Sequence, residues 1–272
     1  MADGALPLIP SSVLVVIPAL NEQATIGSVV TGVRAEGYDV LVVDDGSVDR
    51  TGPIAAAGGA TVARLPINLG VGGALQCAFT YAVRNGYEAV VQCDADGQHS
   101  FDQIDDLLDE ANATGADMVI GSRFRSVQTS MRVSALRRFA MRLLSAQASL
   151  AAGDRITDST SGFRLIRKPL LSAFAQEFPT HYLGDTHEAL VSAGRAGYVI
   201  VETSATMQVR SEGESSASSA RAFVLAVRSA IVAATGLTFR TVPADKARLM
   251  ASSKNRNALR NLRSTSPKTP VS

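Results

Sequence analysis

Short, wholly apolar runs alternate along this chain with stretches whose apolar residues recur every third or fourth position. Residues 13–17, 40–43 and 89–91 are continuous apolar runs, the pattern of a strand covered on both faces. Residues 61–65, 117–120, 198–202 and a stretch through Ile166 read as further strands. After the first run, Ile26, Val29, Val30 and Val33 make one apolar helical face, with Asn21 placed to cap it. Helices are predicted again from residue 68 through Arg84, over 101–113, from the 181–188 stretch onward, and over 223–234. Strand followed by helix, repeated with polar residues gathered where strands end, predicts an open, largely parallel α/β sheet with its site at the carboxyl edge. The organisation expected is a flexible N-terminus over 1–12, one folded domain over 13–217, and an apolar to amphipathic helix over 218–240. A basic tail over 241–272 reads as disordered from its Ser, Asn, Pro and basic content.

A length of 272 residues suffices for one large α/β domain. The net charge of +1 argues against a molecule built to bind nucleic acid. Charge is uneven, however: from Thr241 onward seven Lys and Arg face one acid, so the tail carries +6 and the remainder −5. Cys77 and Cys93 show neither CxxC nor metal-ligand spacing and read as reduced core thiols of a cytosolic protein. Residues 1–12 place no basic residue ahead of an apolar part, and no run reaches the roughly 18–20 apolar residues of a membrane span. Any membrane role is therefore expected to be peripheral or through a partner.

The chemistry centres on residues 90–99. An apolar run ends at Asp94 and Asp96, one residue apart, followed by Gly97, Gln98 and His99. On a strand end the two carboxylates would point the same way, and a hard cation such as Mg²⁺ or Mn²⁺ between them would bridge to phosphates. A solvated acidic turn is the plainer alternative. A calcium EF-hand fails, because the sixth and twelfth positions from Asp94 hold His99 and Asp105 instead of Gly and Glu. A haloacid-dehalogenase-type DxDG site sits on the first strand of its domain, whereas other strands come before this one. The turn at 18–22 lacks GxGxxG, which argues against a dinucleotide dehydrogenase. Asp44 and Asp45 at the next strand end suit hydrogen bonds to a base or ribose, or form a turn and a helix cap together with Ser47 and Asp49. Gly70, Gly72 and Gly73 open a helix to which a phosphate could come close, although tight helix–strand packing accounts for them as well. From Arg123 to Leu150, Arg123, Arg125, Arg132, Arg137, Arg138 and Arg142 are interleaved with large apolar residues, as in a helix at an anionic membrane surface or an ordinary surface helix.

Taken in order, the blocks at 16–22, 43–51, 68–70, 94–99, 121–123 and 161–164, with Arg210, Gly213, Ser215 and Ser216, resemble the family 2 glycosyltransferases. The nearest likeness is to the dolichyl- or polyprenyl-phosphate sugar synthases. The resemblance implies a GT-A fold, Rossmann-like, with a mixed, mostly parallel sheet flanked by helices in a single catalytic domain. It implies an inverting, metal-dependent hexosyltransferase that uses a UDP- or GDP-sugar and Mg²⁺ or Mn²⁺. By the same resemblance, Pro18, Asn21, Glu22, Asp44 and Asp45 hold base and ribose, with Gly70 also on the nucleotide. Asp94, Asp96 and Gln98 hold the metal and diphosphate, and Arg123 and Arg210 meet the acceptor phosphate or the leaving group. A phosphate acceptor is mostly dianionic near pH 7 and needs positioning more than a base. A sugar hydroxyl would need one, and Asp185 is then the candidate. The expectation is transfer to polyprenyl phosphate by a cytoplasmic protein peripheral at the inner membrane face. The alternative is a cell-wall or capsule transferase acting on a sugar hydroxyl. Some relatives carry transmembrane hairpins, so contact with lipid is expected through the Arg-rich segment, the 218–240 helix, the tail or a separate small membrane-protein partner. Ser215 and Ser216 stand where relatives often have a basic residue.

Overall fold

Along β1 (Val13–Ala19), Val13, Val15, Ile17 and Ala19 enter one core while Leu14 and Val16 enter another. The same alternation splits β2 (Asp39–Asp44), with Val40 and Val42 on the first side and Leu41 and Val43 on the second. In this computed structural model of the chain, residues 7–98, 100–123, 135–179, 185–206 and 241–250 are described, except for the side chains of 135–138, 140 and 185. The first core is closed by α1 (Ile26–Ala35), α2 (Thr51–Ala57) and α4 (Gln103–Thr114). The second is closed by α3 (Gly70–Arg84), α5 (Ala135–Ala152), α6 (Leu170–Gln176) and α7 (Asp185–Arg195). Each Val, Ile or Leu buried this way contributes about 1.5–3 kcal/mol. The three apolar runs therefore commit to the sheet interior wherever helices cover both faces.

The remaining strands are β3 (Thr61–Arg64), β4 (Ala89–Gln92), β5 (Met118–Ser122), β6 (Arg164–Arg167) and β7 (Ile200–Ser204). They form one seven-stranded sheet in the order β3-β2-β1-β4-β6-β5-β7. All pairs are parallel except those of β6, which runs antiparallel between β4 and β5. The sheet is thus mixed and mostly parallel, as expected. From β1 the chain winds outward to β2 and β3, then returns to place β4 on the other side. The crevice beyond the carboxyl ends of β1 and β4 is the topological switch point, where such sheets bind ligands.

Several expectations need correction. Asn21 does not cap α1, which starts at Ile26 with Thr25 before it. Asn21 instead adopts a left-handed backbone (φ 56°), which its short polar side chain tolerates. Its N–H donates to Ser47 Oγ (3.0 Å) and its Oδ1 accepts from Val48 N–H (3.0 Å), joining two loops. Helix α6 escaped the periodic reading because seven residues complete fewer than two turns. The flexible N-terminus does not extend to residue 12: Leu8 is buried, and its backbone is gripped by Asn112 through bonds of 2.7 and 3.0 Å.

Nor does disorder begin at Thr241. Residues 244–250 form a helix, α8, that packs on the domain. Thr241 and Ala244 are buried, Ala244 N–H donates to Ala196 O (2.9 Å), and Arg248 pairs with Asp117 (2.8 Å). Composition shows the polarity of this segment but not the tertiary partners that satisfy it. Those partners lie at the amino ends of β5 and β7. The 218–240 helix and residues 251–272 lie outside the described residues. In the Arg-rich segment α5 is a helix as expected; Leu144 and Ala148 are buried, whereas Phe139 is 62% exposed. Among the described residues, no helix is long and apolar enough to cross a membrane.

Candidate active site

The crevice opens where β1 outlasts β4. Their pairing ends at Val16 with Gln92, and Cys93 N–H donates to Val16 O, so by alternation Pro18 faces the side that β4 has already left. Beyond it, the loops after β1, β2 and β3 are stitched by side chains to backbone. Glu22 N–H donates to Thr51 Oγ1 (2.8 Å), and Glu22 Oε2 accepts from Thr25 Oγ1 (3.0 Å). Asp44, buried at the end of β2, accepts from Ser47 N–H (2.8 Å) and lies 3.6 Å from Arg64 Nε. Asp45, also buried, accepts from Leu69 N–H (2.7 Å) and Gly70 N–H (2.8 Å). The structure therefore brings Pro18, Asn21, Glu22, Asp44 and Asp45 together at the carboxyl ends of β1 and β2. Gly70 requires correction as a phosphate contact. Its N–H is taken by Asp45 and Asn68, and a carboxylate already compensates the helix N-terminus, so a second anion there would meet like charge.

The Asp94 to Gln98 stretch follows β4 at the same edge of the sheet. Strand β4 stops at Gln92, so Asp94 and Asp96 lie on a turn, and their common direction cannot be inferred from strand alternation as the sequence suggested. Gly97 takes a positive φ of 71° and closes the turn, and Gln98 N–H donates to Asp96 Oδ1 (3.1 Å). The Asp94 carboxylate rests against the loop before β6. A Cβ on Gly162 would fall 2.6 Å from its Oδ2 and 2.8 Å from its Cγ, so only glycine leaves room for it. Cys93 is buried and its thiol pKa is pushed up by desolvation, with Asp94 adding to the effect, which makes it an inert core thiol. His99 lies outside the described residues.

Sequence reasoning missed the supports around Arg123. This residue follows β5, and its guanidinium grips the buried Asp158 in a fork, Nε to Oδ2 at 2.6 Å and Nη2 to Oδ1 at 2.8 Å, with Nη2 also donating to Thr160 Oγ1 (3.0 Å). Desolvation opposes its charge, but Asp158, aided by Asp94, holds the Arg123 pKa above its ordinary value. Asp158 is in turn aimed by Glu202 on β7, buried, whose carboxylate accepts from Asp158 N–H (2.7 Å), Thr157 N–H (2.9 Å) and Thr157 Oγ1 (2.9 Å). An acid at the end of an apolar strand was the available signal. Asp185 is the first residue of α7, its side chain outside the described set, and Arg210 lies outside it altogether.

In the same first turn of α7, His187 is buried against α5, its Nε2 3.3 Å from Gln147 Oε1. Its Nδ1 has no hydrogen-bond partner among the described residues. Burial, reinforced by Arg164, lowers its pKa from 6.5 to about 4. The unfolded chain therefore binds this proton more readily. Stability supplied by neutral His187 is complete above pH 6.5 and is lost as pH falls toward 4, by up to roughly 3 kcal/mol. Urea melts of the protein and of His187→Leu across that window test this. The variant should show the flatter profile, and equal slopes would remove His187 as the cause.

The mixed, mostly parallel sheet with its switch point between β1 and β4 has the architecture of the GT-A fold. Solved structures of that architecture align with it. One is glucosyl-3-phosphoglycerate synthase from Mycobacterium tuberculosis, in complex with Mn²⁺, UDP-glucose and phosphoglyceric acid. It matches with a TM-score of 0.52 at 23% identity, over 73% of this chain and 72% of that one. The chain belongs to glycosyl transferase family 2, whose profile matches residues 14–174. Curated relatives include an undecaprenyl-phosphate mannosyltransferase of Micrococcus luteus, 32% identical over 75% of this chain and 86% of the relative. A UDP-N-acetylglucosamine–dolichyl-phosphate N-acetylglucosaminyltransferase of Methanococcus voltae is 28% identical over 66% and 79%.

Proposed function

We propose that this protein transfers a sugar from a UDP- or GDP-sugar to polyprenyl phosphate, with inversion at the anomeric carbon, at the cytosolic face of a membrane. The observation that carries the reading is the guanidinium of Arg123, fixed by Asp158 beside the Asp94 carboxylate. A cation held in this way suits an anionic acceptor brought to an anionic donor. The two curated relatives above differ in the sugar their names specify and share a lipid phosphate, which supports that acceptor.

Pro18, Asn21, Glu22, Asp44 and Asp45 hold base and ribose. Asp94, Asp96 and Gln98 fit a divalent ion, Mg²⁺ or Mn²⁺: all three offer oxygen, and glycine at 162 leaves space for the Asp94 carboxylate. The chemistry a bound ion supplies there is stabilisation of charge on the leaving diphosphate. Arg123, with Arg210, orients the acceptor phosphate for in-line attack. A phosphate oxygen forms the new bond to the anomeric carbon as the bond to the diphosphate breaks and its electron pair leaves with the diphosphate. No proton need be removed from an acceptor already ionised.

The second reading, transfer to a sugar hydroxyl, is favoured by Asp185 standing first in α7, where it could serve as base. One experiment separates the two. The protein receives polyprenyl phosphate in detergent and labelled UDP- and GDP-sugars, with Mg²⁺ or Mn²⁺ or with EDTA, and label entering the organic phase is measured. Metal-dependent transfer that persists in Asp185→Asn is expected. Binding of a sugar nucleotide with no lipid product, even after native membranes are added to supply a partner, would sink the polyprenyl-phosphate reading.

A further inference from the structure

Arg164 is the first residue of β6, at the carboxyl edge, in register with Gln92 of β4 and Ile120 of β5. Its side chain is among the largest that are fully buried, at 1% exposure. The guanidinium donates from Nε to Ser161 O (2.7 Å), from Nη2 to Ser159 O (2.6 Å) and from Nη1 to Thr186 O (2.7 Å). Ser159 and Ser161 belong to the loop that presents Asp158 to Arg123 and Gly162 to Asp94. Thr186 is in the first turn of α7, next to Asp185. One planar cation thus joins the 158–162 loop to the helix start.

We infer that Arg164 is a positioning residue that sets the first turn of α7 against the 158–162 loop, and so aligns the acceptor side of the site with the donor diphosphate. This rests on the transferase reading above. A guanidinium presents its donors in a rigid fork and fixes both the distance and the angle between two segments, whereas an ammonium carries three rotatable donors on one atom at the end of a flexible stem and fixes no angle. Charge alone does not reproduce the link, and Lys at 164 uncouples the two segments. The base and ribose loops after β1, β2 and β3 are braced by Ser47, Thr51 and Asp45 and do not depend on Arg164.

Native-state hydrogen exchange on the unaltered protein tests the link without any substrate. Amides of 158–162 and 186–190 are expected to open together as one unit; separate opening with different protection overturns the inference. In Arg164→Lys both segments should lose protection and open independently of each other, while amides of the loops after β1–β3 keep theirs. For transfer, Arg164→Lys should show about a tenfold or larger fall in kcat. Sugar-nucleotide affinity by calorimetry should stay unchanged. A Lys variant with full kcat, or one that loses donor affinity in proportion to kcat, overturns the positioning role. Failure of the lipid-phosphate assay in the unaltered protein would instead count against the transferase reading and leave the exchange result standing.

Discussion

Gly162→Val should lower sugar transfer by about a hundredfold. The expectation follows from the space around one carboxylate. Any Cβ at 162 would sit 2.6 Å from Asp94 Oδ2 and 2.8 Å from Cγ, well inside contact distance, so either the Asp94 side chain leaves its rotamer or the loop backs away. Driving a side chain about 30° off its rotamer costs on the order of 0.5–1.5 kcal/mol, which the folded domain can absorb. A displacement on the order of 1 Å at a reacting centre is far more damaging to rate than to stability. The check is a pre-steady-state transfer rate at saturating Mn²⁺, with thermal melts in parallel. Near-normal melting with a collapsed rate is the expected pair, and Gly162→Ala should fall between. Normal turnover in the Val variant would mean that Asp94 is not held where the chemistry needs it.

The largest loss of stability is expected at Glu202. Its two carboxylate oxygens accept from Thr157 N–H, Asp158 N–H and Thr157 Oγ1 at 2.7–3.0 Å, in a site only 4% exposed. Glu202→Gln keeps the shape but turns one acceptor into an NH₂ that faces other donors. Losing charge-assisted bonds and leaving a buried donor unmatched costs about 3 kcal/mol. For a domain of this size that lowers Tm by roughly 6–12 °C. Because Asp158 is one of the groups Glu202 aims, Arg123 loses its brace as well, and transfer measured well below the new Tm should remain depressed. A melting point within a degree or so of the parent would show that the loop holds itself.

These residues explain what could be read in advance. The runs at 13–17, 40–43 and 89–91 announce β1, β2 and β4 because strands buried on both faces leave no polar positions. The acids at this edge stood out because Asp44 and Asp45 directly follow residues 40–43 and Asp94 follows residues 89–91 within three positions. Gly162 and Arg164 were legible only as parts of a block, not in their roles, and Asp158 fell outside it. Those roles exist because β6 inserts antiparallel between β4 and β5, a neighbourhood formed across some 70 residues of chain that no local pattern encodes. The error at Asn21 has the opposite source. A residue with good capping chemistry was read locally, while its actual partners, Ser47 and Val48, come from the next loop.

Helix α8, pinned by Arg248 to Asp117 and by Ala244 to Ala196, returns the chain to the amino edge of the sheet, about 17 Å of strand away from the crevice. The exposed Lys246 of α8 therefore sits on the side away from the chemistry. A bead, sensor chip or affinity resin coupled through it would hold the protein with the crevice turned outward. Micelles or vesicles flowed over such a surface would meet the open edge of the sheet first, which makes this helix the natural handle for watching acceptor delivery in real time.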